Sequence, residues 1–338
     1  MTTIYHIIPN LNSAGAENFL LSLSKHLCKD YNQIIYTFSS PQKDTLFPKF
    51  DSTIKFLFGR KELIKSLKKF QNPIIICWMY PSIFYLERLR VFNKIEAKII
   101  WNIRHSSFLP FQLKQKAALL FLGIVSKIRN YNIIYCAYAS RDYHQRFLFS
   151  KRKSEVILNG LIKQLVIDNT YIEDYFLYVG RHNPSKGPDL LLRVFKKYIK
   201  INPEAKLKIA GGGWNRNQID NALINNIELL GNVNDLSTLY SNAKCLLFTS
   251  KTEGFPNVLA EACSFGLPII ATNAGDASVI LKNYPNSKIA NTEKDFSELL
   301  NNLDMHNFAE RNKTAKDFRK RFSFDKTVSN YINFFETL

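Results

Sequence analysis

The stretch TSKTEGFPNVLAEACSFGLP, residues 249–268, sets two carboxylates, Glu253 and Glu261, eight positions apart with a Gly-Phe-Pro turn between them. Such a pair could be an acid/base couple for hydrolysis, a grip on hydroxyl groups, or ordinary charges on a helix. The apolar KCLLFTS ahead of it predicts a buried strand, and Pro256 suits the first position of a following helix. On that helix Asn257, Val258 and Glu261 share one face, because residues three and four apart are neighbours. Glu253 falls before the helix, at the carboxyl end of the strand, where open α/β sheets bind ligands. The backbone N–H groups after Pro256 carry the positive end of the helix dipole and suit an anion or a row of hydroxyls. The plainer alternative is that Glu253 only complements the dipole and Glu261 is solvated.

A second constellation, YVGRHNPSKGPDLLL (residues 178–192), ends a strand at Gly180 and places Arg181 and Lys186 in the turn. Gly187-Pro188 then opens a helix striped with Leu190, Leu191, Val194 and Phe195. Two cations beside a helix N-terminus make a clamp for a diphosphate. His182 lies inside this turn and receives no role. IAGGGWNRNQI repeats strand, glycine turn and helix at Gly211–Gly213 without forming a full GxGxxG. In the first half, HIIPNLNSAGAENFL puts the small Gly15 and Ala16 at the start of a helix, with Glu17 capping its first turn. IIWNIRHSSF ends a strand at Arg104 and His105. Each of these also fits an ordinary turn.

The elements that must position these groups follow from apolar runs alternating with amphipathic stretches along the whole chain, an α/β pattern with largely parallel sheets. In the first half, strands are expected near 4–8, 33–38, 54–58, 74–78, 98–103, 133–137 and 154–158. Helices are expected near 16–28, 61–70, 83–93, 111–128 and 140–148. FLYVGR, AKLKIAG, IELLG, KCLLFTS and PIIATNAG restart the rhythm, so two doubly wound lobes are expected. The seam is placed at VILNGLIKQ, giving lobes of 1–158 and 159–324. Three helices close the chain, near 294–304, 307–321 and 325–337. The last of them carries Val328, Tyr331, Ile332 and Phe335 on one side.

Length and composition fit this plan: 338 residues, 46% hydrophobic, allow two ordinary cores. The longest strongly apolar run, about 117–125, is short of the roughly 20 residues a spanning helix needs. The N-terminus shows no secretory signal pattern, and a cytosolic protein is expected. The scattered Cys28, Cys77, Cys136, Cys245 and Cys263 read as buried thiols. Of the net charge of +18, residues 1–160 hold +15, with 24 Lys and Arg against 9 Asp and Glu. Such a lobe is drawn to anionic surfaces. Residues 108–130 mix apolar content with Lys114, Lys116, Lys127 and Arg129, which fits either an interfacial helix or a lobe-covering helix with a basic outer face. Lys151-Arg152-Lys153 reads as a solvated loop.

Taken in order, AGAE, the inter-lobe Asn159-Gly160, GRxxPxKGxDxL, the glycine turn at Gly211 and EGFPNVLAEA with its two glutamates resemble the retaining glycosyltransferases of family 4, which have the GT-B fold and use nucleotide sugars. The resemblance implies two Rossmann-like domains facing a central cleft, the last helix (about 325–338) crossing back to the first. It further implies that Arg181 and Lys186 neutralise the donor's diphosphate, that Glu261 holds the ribose hydroxyls, and that Glu253 reaches the transferred sugar. Gly254, Phe255, Pro256, Asn257 and Val258 would line the sugar and phosphates, with Asn159 and Gly211 beside them. From the first lobe Gly15 and Ala16 would line the cleft, and Arg104 or His105 would contact donor or acceptor. Ala14 stands where the family more often has glycine.

No metal or other cofactor is implied, since cations and a helix dipole meet the diphosphate. The implied partners are a nucleotide-sugar donor, a glycan or lipid-linked acceptor and an anionic membrane surface, with a UDP-linked hexose or N-acetylhexosamine moved in bacterial surface polysaccharide assembly. The implied location is the cytoplasmic face of the inner membrane. A glycosidase has no use for a diphosphate clamp. A sugar-nucleotide epimerase of the same architecture needs the same diphosphate site, but EGFPNVLAEA points away from it. A nucleic-acid-binding protein would explain the charge, yet no aromatic-rich RNA-binding strand or recognition-helix pattern is present.

Overall fold

The computed structural model describes residues 1–12, 15–38, 46–105, 113–162, 173–285, 287–303 and 308–338. Two compact units form, one from the described residues of 1–158 with Asp325–Leu338, the other from Asn159–Phe324.

In the first unit, strands β1 (Thr3–Ile8), β2 (Asn32–Thr37), β3 (Lys55–Phe58), β4 (Ile74–Trp78), β5 (Lys98–Ile103), β6 (Asn132–Tyr135) and β7 (Ser154–Val156) make a parallel sheet. Its order is β3-β2-β1-β4-β5-β6-β7. Every residue of β1 and β4 is buried, as a parallel sheet covered on both faces requires. The connecting helices are α1 (Gly15–Leu27), α2 (Arg60–Leu67), α3 (Met79–Phe92), α4 (Leu113–Ile128) and α5 (Tyr138–Gln145).

The second unit follows the same plan. Its helices are α6 (Pro188–Ile199), α7 (Ser237–Asn242), α8 (Asn257–Ser264), α9 (Ala277–Leu281), α10 (Glu293–Asn301) and α11 (Phe308–Arg321). Strands β8 (Tyr175–Val179), β9 (Lys206–Ala210), β10 (Ile227–Gly231), β11 (Cys245–Phe248), β12 (Ile269–Thr272) and β13 (Ser287–Ala290) pair in parallel in the order β10-β9-β8-β11-β12-β13. Leu191, Val194 and Phe195 of α6 enter one core with Phe176, Leu207, Ile209 and Leu247 of the sheet. A last helix, α12 (Phe324–Glu336), belongs to the first unit from Asp325 onward. There the Tyr331 hydroxyl accepts from Asn102 Nδ2 at 2.9 Å, and Thr327 Oγ1 donates to the Leu158 carbonyl at 3.0 Å. Phe334 joins Val328, Tyr331 and Phe335 on its buried side.

Two expectations needed correction. The glycine turn after β9 leads into 3-10 turns at Arg216–Gln218 and Asn221–Leu223 instead of an α-helix. Local side-chain bonds compete there with helix formation, Gln218 accepting from the Asn215 amide and Asp220 from the Ala222 amide. Cys28 is partly exposed, whereas the other four cysteines are buried.

In each sheet the strand order reverses once, between β1 and β4 and between β8 and β11, which places a ligand-accepting crevice at the carboxyl ends of those strands. In the second unit the two turns meet backbone to backbone. Gly187 caps α6 with φ +65°, and a Cβ there would lie 1.9 Å from the Thr249 carbonyl oxygen. Thr249 Oγ1 in return donates to the Gly187 carbonyl at 2.9 Å.

Two buried histidines carry no charge in the first unit. His6 Nδ1 accepts from Trp78 Nε1 at 3.2 Å and its Nε2 donates to Gln33 Oε1 at 3.2 Å. His144 Nδ1 donates to the Ser140 carbonyl at 2.6 Å and its Nε2 accepts from the Tyr80 hydroxyl. Burial lowers each pKa from 6.5 to about 4.

Replacing Gly187 by Ala is expected to lower stability by about 2 kcal/mol or more, through left-handed strain and the blocked approach to Thr249; a denaturant titration measures it. The histidines set a pH window. Their folded pKa lies below the unfolded one, so the unfolded chain binds more protons between about pH 6.5 and 4, and stability falls as pH drops through that range. Each is expected to contribute a loss of roughly 2 kcal/mol at pH 5 relative to pH 7.5. Denaturation at the two pH values should show it, and His6→Asn should remove one share.

Candidate functional site

The site is built on the β8 and β11 turns. After β8 the chain runs through Gly180 and Arg181 into a tight turn, in which Asn183 Oδ1 accepts from the Ser185 amide at 2.9 Å and from its hydroxyl at 2.8 Å. That turn ends at Lys186, whose carbonyl accepts from the buried Tyr178 hydroxyl at 3.1 Å. After β11 the Lys251 amide donates to the Ser185 carbonyl at 2.8 Å, stitching the turns together. Thr272 Oγ1 from β12 donates to the Ser250 carbonyl at 2.6 Å, and the Asp276 amide to the Gly254 carbonyl at 3.1 Å. The Glu253 loop is thereby held from both sides.

Within this frame Lys186 Nζ donates to Glu253 Oε1 at 2.6 Å, the two side chains being 26% and 13% exposed. Ser250 Oγ donates to the same oxygen at 2.8 Å. Arg181 is exposed, and its guanidinium enters no ion pair among the described residues. The N-terminus of α6 opens directly after Lys186. A fixed ammonium, an exposed guanidinium and a helix N-terminus thus share the switch point of one sheet, a combination suited to a multivalent anion. Gly211 is packed beside them, since a Cβ there would lie 2.2 Å from the Gly180 carbonyl oxygen. His182 is turned away onto the Trp214 ring, 4.7 Å between centroids, with Gln218 Nε2 3.2 Å from its Nδ1.

Helix α8 begins one residue later than expected. Pro256 is its N-cap, its carbonyl accepting from the Leu259 and Ala260 amides, and Asn257 is the first helical residue. Phe255 and Pro256 are buried, while Gly254, Asn257, Val258 and Glu261 are partly exposed. Asn159, from the start of this unit, donates through Nδ2 to Asn257 Oδ1 at 3.0 Å. Glu261 Oε2 accepts from the Tyr240 hydroxyl at 3.0 Å. The second-unit candidates Arg181, Lys186, Gly211, Glu253, Gly254–Val258 and Glu261 therefore fall on the β8, β9 and β11 turns and α8, and Asn159, at the start of the unit, is joined to them through Asn257.

The first-unit candidates form a separate group after β1 and β5. Gly15 is exposed and Ala16 half-buried at the start of α1; Ser13 and Ala14 lie outside the described residues. Glu17 stands in the first turn of α1, as expected, and is buried there. Burial pushes its carboxyl above the usual range, while a backbone hydrogen bond and the Arg104 charge pull the other way. Arg104 packs inward, its guanidinium 4.0 Å from the Phe19 ring centroid and 5.7 Å from that of Trp78. His105 is exposed, and its carbonyl accepts from Ser140 Oγ at 2.6 Å.

Tyr240 and Ser250 were not anticipated. Ser250, three residues before Glu253 at a strand end, had a local signal in its spacing. Tyr240, 21 residues from Glu261, had none. Among the described residues no group of three or more His, Cys, Asp or Glu is placed to hold a metal ion.

Residues 163–321 match the model of the glycosyl transferases group 1 family. The chain is 24% identical over 292 residues, 78% of its length and 77% of the relative's, to a Campylobacter jejuni enzyme named GalNAc-alpha-(1->4)-GalNAc-alpha-(1->3)-diNAcBac-PP-undecaprenol alpha-1,4-N-acetyl-D-galactosaminyltransferase. To the capsular polysaccharide biosynthesis glycosyltransferase CapH of Staphylococcus aureus it is 25% identical over 310 residues, 85% of this chain and 86% of that one. Among solved structures, Anabaena HepE in complex with UDP and glucose superposes with a TM-score of 0.81 over 100% of both chains at 14% identity. The match of residues 163–321 thus places the group 1 glycosyl transferase pattern on the second unit, while the chain as a whole has the GT-B fold and resembles family 4.

Proposed function

We propose that this protein is a retaining transferase that moves a hexose or N-acetylhexosamine from a UDP-linked donor to a glycan or lipid-linked glycan in bacterial surface polysaccharide assembly. The observation that carries the reading is the Lys186–Glu253 pair at the switch point, with Arg181 exposed beside it. A donor diphosphate offers Lys186 a stronger counter-charge than one carboxylate, so its arrival would take the ammonium and release Glu253 toward the sugar. When the C1–O bond breaks, its electron pair goes to the diphosphate, and Arg181, Lys186 and the α6 N-terminus meet that charge without reorganisation. The acceptor hydroxyl attacks C1 on the same face, its oxygen forming the new bond and its proton passing to the departing diphosphate oxygen. Glu261 holds the ribose, and the residues from Gly254 to Val258 line the sugar. In this reading the positive charge at the diphosphate is supplied by the chain, with no metal or other cofactor required. The UDP bound by HepE and the undecaprenol-linked acceptor in the name of the Campylobacter relative support the choice of donor and acceptor.

Replacing Lys186 by Ala is expected to reduce transfer at least about 100-fold while leaving the melting temperature of the free protein within a degree or two. A UDP-sugar should raise the melting point of wild type and not of the variant. Turnover close to wild type would sink the assignment.

The first unit is the part we assign to an anionic membrane surface at the cytoplasmic face of the inner membrane. Helix α4 buries Leu119, Leu122, Gly123 and Ser126 against its own unit. Nearly opposite them on the helix, Leu113, Leu120, Phe121, Ile124 and Ile128 are exposed, Leu113 and Ile128 to 77% and 76%. Phe84 of α3 stacks on Phe121 at 6.4 Å and extends the apolar face. Lys114, Lys116 and Lys127 border it. The outer face thus carries apolar side chains between lysines, which supports the interfacial reading, and residues 108–112 lie outside the described region. No described helix is long and apolar enough to cross a membrane. Vesicles containing anionic lipid are expected to sediment the protein, with less bound at high salt or in Phe121→Ser/Ile124→Ser. Binding indifferent to lipid charge would count against this surface.

A further inference from the structure

Tyr240 is a phenol with its ring and hydroxyl inside the second unit, 2% exposed, yet its hydroxyl reaches a carboxylate at the unit's partly exposed edge. Its ring stacks on Phe265, with centroids 5.5 Å apart and planes inclined by 26°. Its backbone is fixed as well. Arg311 of α11, itself buried, donates through Nη2 to the Tyr240 carbonyl and through Nη1 to that of Ala243, both at 3.1 Å. These carbonyls belong to the C-terminal end of α7, where a cation is favoured by the helix dipole. Burial, reinforced by the neighbouring Glu261 charge, pushes the Tyr240 hydroxyl well above the ordinary phenol range. The hydroxyl therefore keeps its proton and is the donor in the bond to Glu261 Oε2.

A carboxylate on a helix surface can rotate about its terminal torsion at little cost. Gripping a vicinal diol with two oxygens demands one orientation of that carboxylate. We propose that Tyr240 is a positioning residue, its buried hydroxyl holding the Glu261 carboxylate in the rotation that receives the ribose hydroxyls of the nucleotide donor. This rests on reading Glu261 as the ribose grip. Phe265 and Arg311 supply the rigidity, so the orientation is set by the core of the unit and not by the ligand. The effect falls on donor binding. The ribose is remote from the bond being broken, and its grip is made in the ground state and the transition state alike.

The test is Tyr240→Phe, which keeps the stacked ring and removes only the hydroxyl. The expected result is a roughly 10-fold higher KM for the UDP-sugar, kcat within about a factor of two of wild type, and an unchanged melting temperature without ligand. With a donor analogue lacking both ribose hydroxyls, wild type and variant should have the same KM. Combined with Glu261→Ala, the Phe substitution should add nothing further. An unchanged KM in Tyr240→Phe overturns the proposal, as does an equal loss on the analogue, which would make the hydroxyl's role purely structural. Glu261→Ala alone separates the two levels: if it discriminates between the two donors as strongly as wild type does, the ribose reading of Glu261 fails irrespective of Tyr240. Should Tyr240→Phe melt early, the shift in melting temperature produced by saturating UDP against 2′,3′-dideoxy-UDP, each relative to the same protein without ligand, in wild type, Glu261→Ala and Tyr240→Phe gives the same decision, and a difference in Tyr240→Phe as large as in wild type overturns the proposal. Loss of the difference only in Glu261→Ala supports the grip, and an intermediate difference in Tyr240→Phe supports the positioning.

Discussion

The ion pair between Lys186 and Glu253 joins residues 67 positions apart, and much of the second unit exists in the form that lets it close. Parallel pairing of β8 with β11 brings the two strand ends side by side. The α-carbon of Gly187 then has to approach the Thr249 carbonyl more closely than any side chain allows, and the Ser185 carbonyl has to accept from the Lys251 amide. With those contacts made, ammonium and carboxylate meet at 2.6 Å in a half-buried setting. Desolvation offsets much of the Coulomb attraction in such a pair, so its value lies less in stability than in holding a positive charge ready where it is not fully hydrated.

The sheets were legible because parallel strands buried on both faces must be written as continuous apolar runs. IIICW and CLLF read as strands for that reason, and α6 was visible in the spacing of Leu191, Val194 and Phe195. Strand pairing across the switch point was not written locally. Glycine, lysine and glutamate could be named as candidates from their turns, but the direct bond from Lys186 to Glu253 depends on two turns from distant parts of the chain. The stretch after β9 misled for a related reason: its apolar Trp214, Ile219 and Leu223 fit a helix, yet Asn215 and Asp220 capture nearby amides first.

Exposure is the other property that sequence periodicity leaves undecided. Helix α4 is apolar nearly all round, and a composition of that kind fits burial on every side as well as it fits an interface. Only the placement of Leu119 and Leu122 against their own unit shows that Leu120, Phe121 and Ile124 must face outward. The same limit applied to Glu17 and Arg104. Both stand at element ends where exposure could not be read, and both are drawn inward, Arg104 over the Phe19 ring and Glu17 buried in the first turn of α1, where burial pushes its pKa up.

The two carboxylates of α8 and its preceding loop show how one helix can present unlike chemistry. Glu253 is tied to the Lys186 ammonium and the Ser250 hydroxyl through a single oxygen. Glu261 is tied to a neutral phenol anchored in the core, a partner that fixes direction without neutralising charge. A hydrolytic pair brings two carboxyls to opposite sides of one scissile bond, whereas these two are held by unlike partners in unlike ways. The difference between a paired carboxylate and an oriented one instead suits two separate hydroxyl-bearing parts of a single ligand. Eight residues are what one loop and one helical turn need to span them.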